Sequence, residues 1–427
     1  MKFIHLADLH IGKRVHEFSM LSEQEHILEQ ILNYVKQYEP DGVLIAGDVY
    51  DRSVPGAEAV HLFDYFLAAL HKAGVNVFLI SGNHDSAERL KFAGDILEES
   101  NVYVAGGYEG NLKQITLQDE YGEVVVWLLP FVKMAEVRAE LENKKSNLNA
   151  EQVISHLPMR RVLSGDKGMH ADVDEKIECD AQAIETVLKR HFYTELETGK
   201  FAENTRHVLV AHQFVTHNGE AEQCESEYHS IGGVEEIDVS LFQAFDYVAL
   251  GHLHGAQKIG RETVRYAGSP LKYSFSEVHQ KKSITFVELK EKGTVQITLL
   301  PLTPLHDMRK IKGPLAALLS KEVVEAAPAD DYIHVTLTDE EELYDAVGQL
   351  REKYPNLMRL EFDNSRTKAL QSLDGMSAQW KDASPFQLFA EFYEQQNGVA
   401  MSEDEAVLLK QFLTESNKSP SGGCGKH

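Results

Sequence analysis

The sequence predicts an α/β fold built on an internal, mostly parallel sheet. Three observations carry this. Short apolar runs alternate with amphipathic helical stretches through the first 85 residues, the runs are nearly continuous, and each ends in a polar motif. Parallel strands buried on both faces and joined by right-handed crossovers produce such a pattern.

In chain order, KFIHLAD is the first strand, and Glu25 to Tyr38 follow as a helix with Ile27, Leu28, Ile31, Leu32 and Val35 on one stripe. DGVLIAGD is a buried-type strand, Pro55 to His71 a second helix stopped by Gly74, and VNVFLISGNHD the third strand. Further strands are expected at Val124–Leu129, His207–Ala211, Tyr247–Leu250, Ser283–Leu289 and Thr294–Leu300. Lys144 to Asn204 is polar and helical in pattern, an excursion on the same domain.

After Pro301 and Pro304 the character changes. DYIHVTLTD alternates as a strand, DEEELYDAVGQLREKY as an amphipathic helix and LMRLEFD as another strand, which makes a small α+β module. Ser384-Pro385 opens a helix with an aromatic stripe of Phe386, Phe389, Phe392 and Tyr393, stopped at Asn397-Gly398. Ser402 with Glu405 is a capping box for a last helix carrying Val407, Leu408, Phe412 and Leu413, and the tail is expected to be disordered. The expected boundaries are 1–300, 301–375, 380–416 and 417–427.

Composition narrows the class. Hydrophobic content of 43% and charged content of 26% are those of an ordinary globular protein. Neither a signal peptide nor an apolar run of membrane-spanning length is expected, and Cys179, Cys224 and Cys424 have no zinc or disulfide spacing. A cytosolic protein is the expectation. The net charge of −25 argues against strong nonspecific binding to nucleic acid by this chain alone. Bound cations and a basic partner can still supply a positive field.

Five motifs line up at strand ends: D8-L-H10, G47-D48, G82-N83-H84-D85, H212-Q-F and G251-H252-L-H254. In an extended strand, positions i and i+2 share a face, so Asp8 and His10 are expected side by side. Each motif has a plain alternative when taken singly: D-x-H and G-D are common turns or helix caps, and His252 and His254 could be half-exposed strand ends. In an open α/β sheet, however, the carboxyl ends of the strands share one rim, where ligand sites form.

Imidazoles, carboxylates and one amide oxygen suit borderline divalent metals such as manganese, iron or zinc. The number of donors suits two ions. Asp8, His10 and His254 are expected on the first and Asn83, His212 and His252 on the second, with Asp48 bridging. Two ions roughly 3.5–4 Å apart can hold a hydroxide and clamp the attacking and leaving oxygens at phosphorus. His84 is left over as a non-ligand, placed to protonate the leaving oxygen or stabilise its charge. His5, inside the first strand, reads as a satisfied core histidine.

The set D-x-H, GD, GNHD, H and GHxH resembles the calcineurin-like metallophosphoesterases. More narrowly, MKFIHLADLHIGK, LIAGDVYDRSVP, IGGVEEID and YAGSPLKYSFSE are similar to the SbcD family of nuclease subunits, related to the Mre nucleases. The resemblance implies a four-layer metallophosphoesterase sandwich over 1–300, a capping domain at 301–375 and a partner-binding helical segment at 380–416. It also implies two Mn²⁺ ions, exonuclease action on double-stranded DNA ends and endonuclease action on single strands or hairpins, in repair, recombination and replication. The implied partner is an SbcC-type coiled-coil ATPase. The chain would be a homodimer within a heterotetramer, paired through helices that include Val60 to Leu70, with no membrane role.

Asp51 stands where related archaeal nucleases carry histidine. An acid there is expected to orient His84 and raise its basicity, and Arg52 beside it to touch a substrate phosphate, although an exposed arginine is the plainer reading. In ESEYHSIGG, Tyr228 stands where the family usually places arginine. The competing functions are a phosphatase or small-molecule phosphodiesterase with the same metals, or chiefly an adaptor clamping the ATPase.

Overall fold

The computed structural model describes residues 1–143, 177–224, 236–365, 367, 384, 386–390, 393 and 400–416. Most of the 144–204 excursion, Tyr228, Phe392, the Asn397-Gly398 stop and the 417–427 tail lie outside them.

The strands of the two large sheets of the main body are, in chain order, β1 (Lys2–Leu6), β2 (Gly42–Ala46), β3 (Asn76–Ile80), β4 (Val102–Ala105), β5 (Lys113–Asp119) and β6 (Gly122–Leu129). They continue with β7 (Arg206–His212), β8 (Tyr247–Gly251), β9 (Gln257–Ile259), β10 (Arg261–Tyr266), β11 (Ser283–Leu289) and β12 (Val295–Pro301). They form two six-stranded sheets, ordered β12-β11-β1-β2-β3-β4 and β9-β10-β8-β7-β6-β5. The centres are parallel, β1-β2-β3-β4 in one and β6-β7-β8-β10 in the other. The edges, β11-β12 in the first and β5 and β9 in the second, are antiparallel.

The sheets stack through a cluster in which Phe3, Leu44 and Phe78 of the first meet Val126, Val208, Tyr247 and Ala249 of the second. Residues buried on both faces explain why these strands lack polar alternation. Helices α1 (Leu21–Tyr38) and α2 (Ala57–Lys72) cover the outer face of the first sheet with Ile27, Ile31, Val35, Phe63 and Phe66. On the second sheet, α3 (Asp180–Leu188) packs Ile184, Val187 and Leu188 over Trp127, Leu209 and Val248. The result is a four-layer α/β sandwich.

His5 lies between the sheets. Its Nε2 donates to the Leu250 carbonyl at 3.1 Å, which leaves Nδ1 to accept from the Tyr247 hydroxyl at 2.9 Å. Helix α1 begins at Leu21, four residues before the expected start at Glu25. The apolar stripe misses this turn because Gln24, a polar residue, occupies a buried position and satisfies itself against the loop below.

The chain divides into two compact units. One comprises Met1–Lys310, Glu325–His334 and Lys353–Arg359, and the other Ile311–Val324, Val335–Glu352 and Leu360–His427. Strands β13 (Met308–Gly313), β14 (Tyr332–Leu337) and β15 (Leu357–Phe362) form a three-stranded sheet in that order. In the second unit the expected helix through DEEELYDAVGQLREKY is shorter, and α4 runs Ala346–Lys353. The acidic residues before it serve as acceptors: Asp339 takes the Leu315 N–H at 2.8 Å, and Glu340 takes the Ser365 hydroxyl at 2.5 Å. The capping box of α5 (Glu403–Ser416) is formed, with Ser402 N–H donating to Glu405 Oε2 at 2.8 Å and Glu405 N–H to Ser402 Oγ at 3.4 Å. Among the described residues no helix is long and apolar enough to cross a membrane.

Candidate metal centre

The ends of β1, β2, β3, β7 and β8 meet at one rim of the sandwich. Asp8 and His10 do not continue β1 as an extended pair. The strand stops at Leu6, and both residues are left-handed, with φ of 53° and 44°. Asp48 (φ 50°) and His252 (φ 112°) also have positive φ. Non-glycine residues with such backbones cost free energy and persist where the surroundings over-determine them. Here the Asp8 and His10 N–H groups donate to the Gly47 and Asp48 carbonyls at 3.1 and 2.9 Å, while Gln24 donates to the His10 carbonyl at 2.7 Å. Gly82 is required by contact, since a Cβ there would sit 2.1 Å from Asp48 Oδ1.

The side chains converge. Asp8, His10, Asp48, His212, His252 and His254 are buried, and Asn83 and His84 lie at the open side. His10 Nε2 and His254 Nε2 face each other at 3.2 Å. Asp48 Oδ2 lies 3.4 Å from His212 Nε2 and 3.6 Å from His10 Nε2. Asn83 Oδ1 is 3.0 Å from His212 Nε2 and 3.2 Å from His252 Nδ1. Across the sandwich, the His252 N–H donates to Asp8 Oδ1 at 3.0 Å. His212 donates Nδ1–H to the Ala46 carbonyl at 2.8 Å, so its Nε2 is the atom turned inward.

The electrostatics are those of charges forced together. Burial raises the Asp8 carboxyl to about 7, against the pull of His212 and His254. Burial also opposes ionisation of Asp48, yet the imidazoles of His212 and His10 hold it well below its ordinary value. His212 is raised to about 9 and His254 to about 10: burial disfavours both cations, but Asp48 outweighs it at the first, and Cys224 with Glu277 at the second. Burial depresses His10, and it takes His252 down to about 3 with help from the charge on His212.

The donor set fits a divalent cation. Asp8, His10 and His254 offer ligand atoms within 4.8 Å of one another, as do Asp8, Asp48 and His212, and His10, Asp48 and His84. His10 Nδ1 is buried without a hydrogen-bond partner among the described residues. Carboxylate oxygens, imidazole nitrogens and one amide oxygen enclosed together match borderline first-row ions.

His84 lies beside this group, its ring 4.9 Å from that of His10. Its N–H donates to Asp48 Oδ1 at 2.9 Å, and its Nδ1 donates to Asp51 at 3.0 Å. The acceptor is the main-chain carbonyl of Asp51, not the carboxylate expected from the sequence. That carboxylate is occupied by Lys13 Nζ at 2.6 Å, so any residue could supply the contact to His84. Arg52 extends outward with 77% of its side chain exposed, 3.8 Å from Asp51.

Some positioning roles are not legible in the sequence, even for Asp85, which stands inside a quoted motif. Asp85 is half-buried at the foot of the GNHD loop, accepting the N–H groups of Val49 at 3.1 Å, Tyr50 at 3.0 Å and Gly82 at 2.9 Å. One carboxylate thus fastens the loops that carry Asp48 and Asn83. Gln24 and Tyr273 do the same beneath His10, the Tyr273 hydroxyl being 3.0 Å from Gln24 Nε2.

Two sheets stacked face to face with an acid- and histidine-rich rim define a class, the calcineurin-like phosphoesterases. The model of that family matches residues 1–256, more than half of the chain, and the chain belongs to it. Two curated relatives are more particular, both named as SbcD of the nuclease SbcCD. The protein of Staphylococcus epidermidis is 29% identical over 369 residues, covering 86% of this chain and 87% of its own. That of Staphylococcus saprophyticus subsp. saprophyticus is 29% identical over 361 residues, 84% of each chain. The likeness to the SbcD proteins therefore extends over most of the chain. A second family model, described as the type 5 capsule protein repressor C-terminal domain, matches residues 304–397. A solved dimetal phosphatase from Danio rerio covers 71% of this chain and 99% of its own, but at 12% identity and a TM-score of 0.35 the likeness is too loose to bear on substrate.

Proposed function

We propose that this chain is the nuclease subunit of an SbcCD-like complex and hydrolyses DNA phosphodiester bonds with two divalent ions, Mn²⁺ being the assigned metal. The observation that carries the proposal is the convergence of Asp8, His10, Asp48, Asn83, His212, His252 and His254 on one buried rim, with His84 beside them at the open side. Asp8, His10 and His254 would hold one ion and Asn83, His212 and His252 the other, with Asp48 facing both sets through His10 and His212. Bound ions supply Lewis acidity and lower the pKa of water.

The chain's own residues orient the reaction. His84 donates Nδ1–H to the Asp51 carbonyl, so its Nε2 is the edge that carries a proton to the leaving oxygen. The acidic surface leaves DNA capture to the ions and to a partner, an SbcC-type ATPase, which residues 380–416 contact. Residues 301–375 are assigned the role of a capping domain, and α2, with Val60 and Tyr65 exposed, is assigned to the homodimer face. The assigned setting is the bacterial cytoplasm, in repair of double-strand ends and hairpins.

The test is cleavage of linear duplex and hairpin DNA by the purified chain with Mn²⁺ or Mg²⁺, beside H84A and a bis-aryl phosphate ester. DNA cleavage that needs both Mn²⁺ and His84 is the expected result. Ester hydrolysis without DNA cleavage, persisting when the ATPase is added, would replace this reading with a small-molecule phosphodiesterase.

A further inference from the structure

The stretch YAGSPLKYSFSE supplies none of the seven donors, yet it runs directly behind one of them. His254 turns Nε2 toward His10, and its other nitrogen, Nδ1, lies 3.4 Å from Glu277 Oε1. Glu277 is completely buried and is itself held on both oxygens. Lys282 Nζ, nearly buried, donates to Oε2 at 2.6 Å, Ser269 Oγ lies 3.5 Å from the same oxygen, and the Tyr273 N–H donates to Oε1 at 3.3 Å. Lys282 also donates to the His254 carbonyl at 2.9 Å and to Ser269 Oγ at 2.8 Å, so one ammonium grips both the histidine and the acid that faces it. The Cys224 sulfur is close by, its ligand atom lying within 4.8 Å of those of His254 and Glu277.

A buried ion pair is a costly way to stabilise a fold, because desolvation offsets most of the attraction. It is an effective way to aim a ligand. A carboxylate accepts only, so the nitrogen facing it must carry a hydrogen and the opposite nitrogen keeps its lone pair. We propose that Glu277, clamped by Lys282 and Ser269, is a positioning residue that fixes His254 as the Nδ1–H tautomer with Nε2 presented to the metal centre. The inference rests on the metal-centre reading above and adds the residue that sets one ligand's tautomer. Glu277→Gln keeps the shape but reverses part of the pattern. Lys282 draws the amide oxygen, so the amide N–H₂ turns to His254 and demands a lone pair on Nδ1.

The experiment is calorimetric titration of the full chain with Mn²⁺, for wild type, E277Q and S269A, with thermal melts to verify folding. Alongside it, ¹⁵N NMR of histidine-labelled chain loaded with diamagnetic Zn²⁺ reads the His254 tautomer. E277Q is expected to lose roughly 10–100-fold in Mn²⁺ affinity, the range for a lost partner of a ligating histidine. S269A removes one contact of the clamp while leaving Glu277 opposite the imidazole and the Ser269 N–H on the His254 carbonyl, so it is expected to lose less Mn²⁺ affinity than E277Q. Wild-type His254 should show Nδ1–H. A folded E277Q with wild-type Mn²⁺ affinity, or a wild-type His254 carrying its hydrogen on Nε2, overturns the inference and leaves the metal centre standing. A wild-type chain that takes up no Mn²⁺ fails the metal reading itself. Should E277Q not fold, E277D carries the test, keeping the charge opposite Lys282 while drawing the oxygen away from His254. The NMR assignment on wild type decides independently of either variant.

Discussion

The His84 N–H donates to Asp48 Oδ1 at 2.9 Å, while the other oxygen of Asp48 faces His212 at 3.4 Å and His10 at 3.6 Å. The residue assigned to proton delivery is therefore hung on the residue assigned to span both ions, but only through its main chain.

That separation predicts two different phenotypes. Asp48→Asn should lower Mn²⁺ affinity by more than roughly 100-fold, beyond the loss seen when only a ligand's partner is removed. His84→Ala leaves the main-chain bond in place, so both ions should remain while turnover falls by roughly 10²–10⁴-fold. Metal stoichiometry and single-turnover cleavage check both. An H84A chain stripped of metal would contradict the assignment.

Ion uptake should release protons. With His212 raised to about 9 and His254 to about 10, both imidazoles carry a proton at pH 7.5 that a cation must displace. Affinity for Mn²⁺ should therefore rise with pH, by about tenfold per pH unit for each proton displaced, until the pH passes those values. Calorimetry in buffers of different ionisation heat counts the protons. A pH-independent affinity between 6.5 and 8.5 would show that the imidazoles are already neutral.

His5 should make the sandwich sensitive to mild acid. Burial, helped by the charge on Arg265, holds its folded-state value down at about 3, against 6.5 for a free imidazole. The unfolded chain thus binds the extra proton, and stability is complete above about 6.5 and is lost as pH falls toward 3. Between pH 7 and 5 the loss is about 2 kcal/mol from this residue. The His5→Gln chain should be less stable at neutral pH by about 1–3 kcal/mol, from the buried Tyr247 and Leu250 contacts, and should lack that slope in urea melts.

A fourth expectation concerns the far edge of the second sheet. Arg206, 1% exposed, donates to both oxygens of Asp119 and to the carbonyls of Gly122 and Lys290 at 2.8 and 2.9 Å. Asp119→Asn leaves this guanidinium buried without its counter-charge, so stability should drop by about 3–5 kcal/mol with Mn²⁺ affinity unchanged. Denaturant melts and metal titration measure the two effects separately.

Local pattern alone located the scaffold. Apolar runs such as VFLI and LIA declared strands buried on both faces, and the Ser402–Glu405 box is a contact within one helical turn, which sequence specifies by itself. The donor types were legible for the same reason, because the chemistry of Asp8, His10, Asn83 and His254 travels with the residue. Their geometry was not. Asp8 and His10 meet the centre through left-handed backbones stabilised by the Gly47 and Asp48 carbonyls, across a loop some 40 residues distant, not by strand alternation. The acceptor for His84 is a carbonyl, which every residue possesses and no side-chain identity announces. Glu277 and Asp85 act on residues brought to them by the stacking of the sheets and the docking of loops. Short-range propensity decides which elements form and which groups they carry. Only the packed sandwich decides which of those groups lie 3 Å apart, because that distance is set by chain segments from Asp8 to Lys282 closing on one another at once.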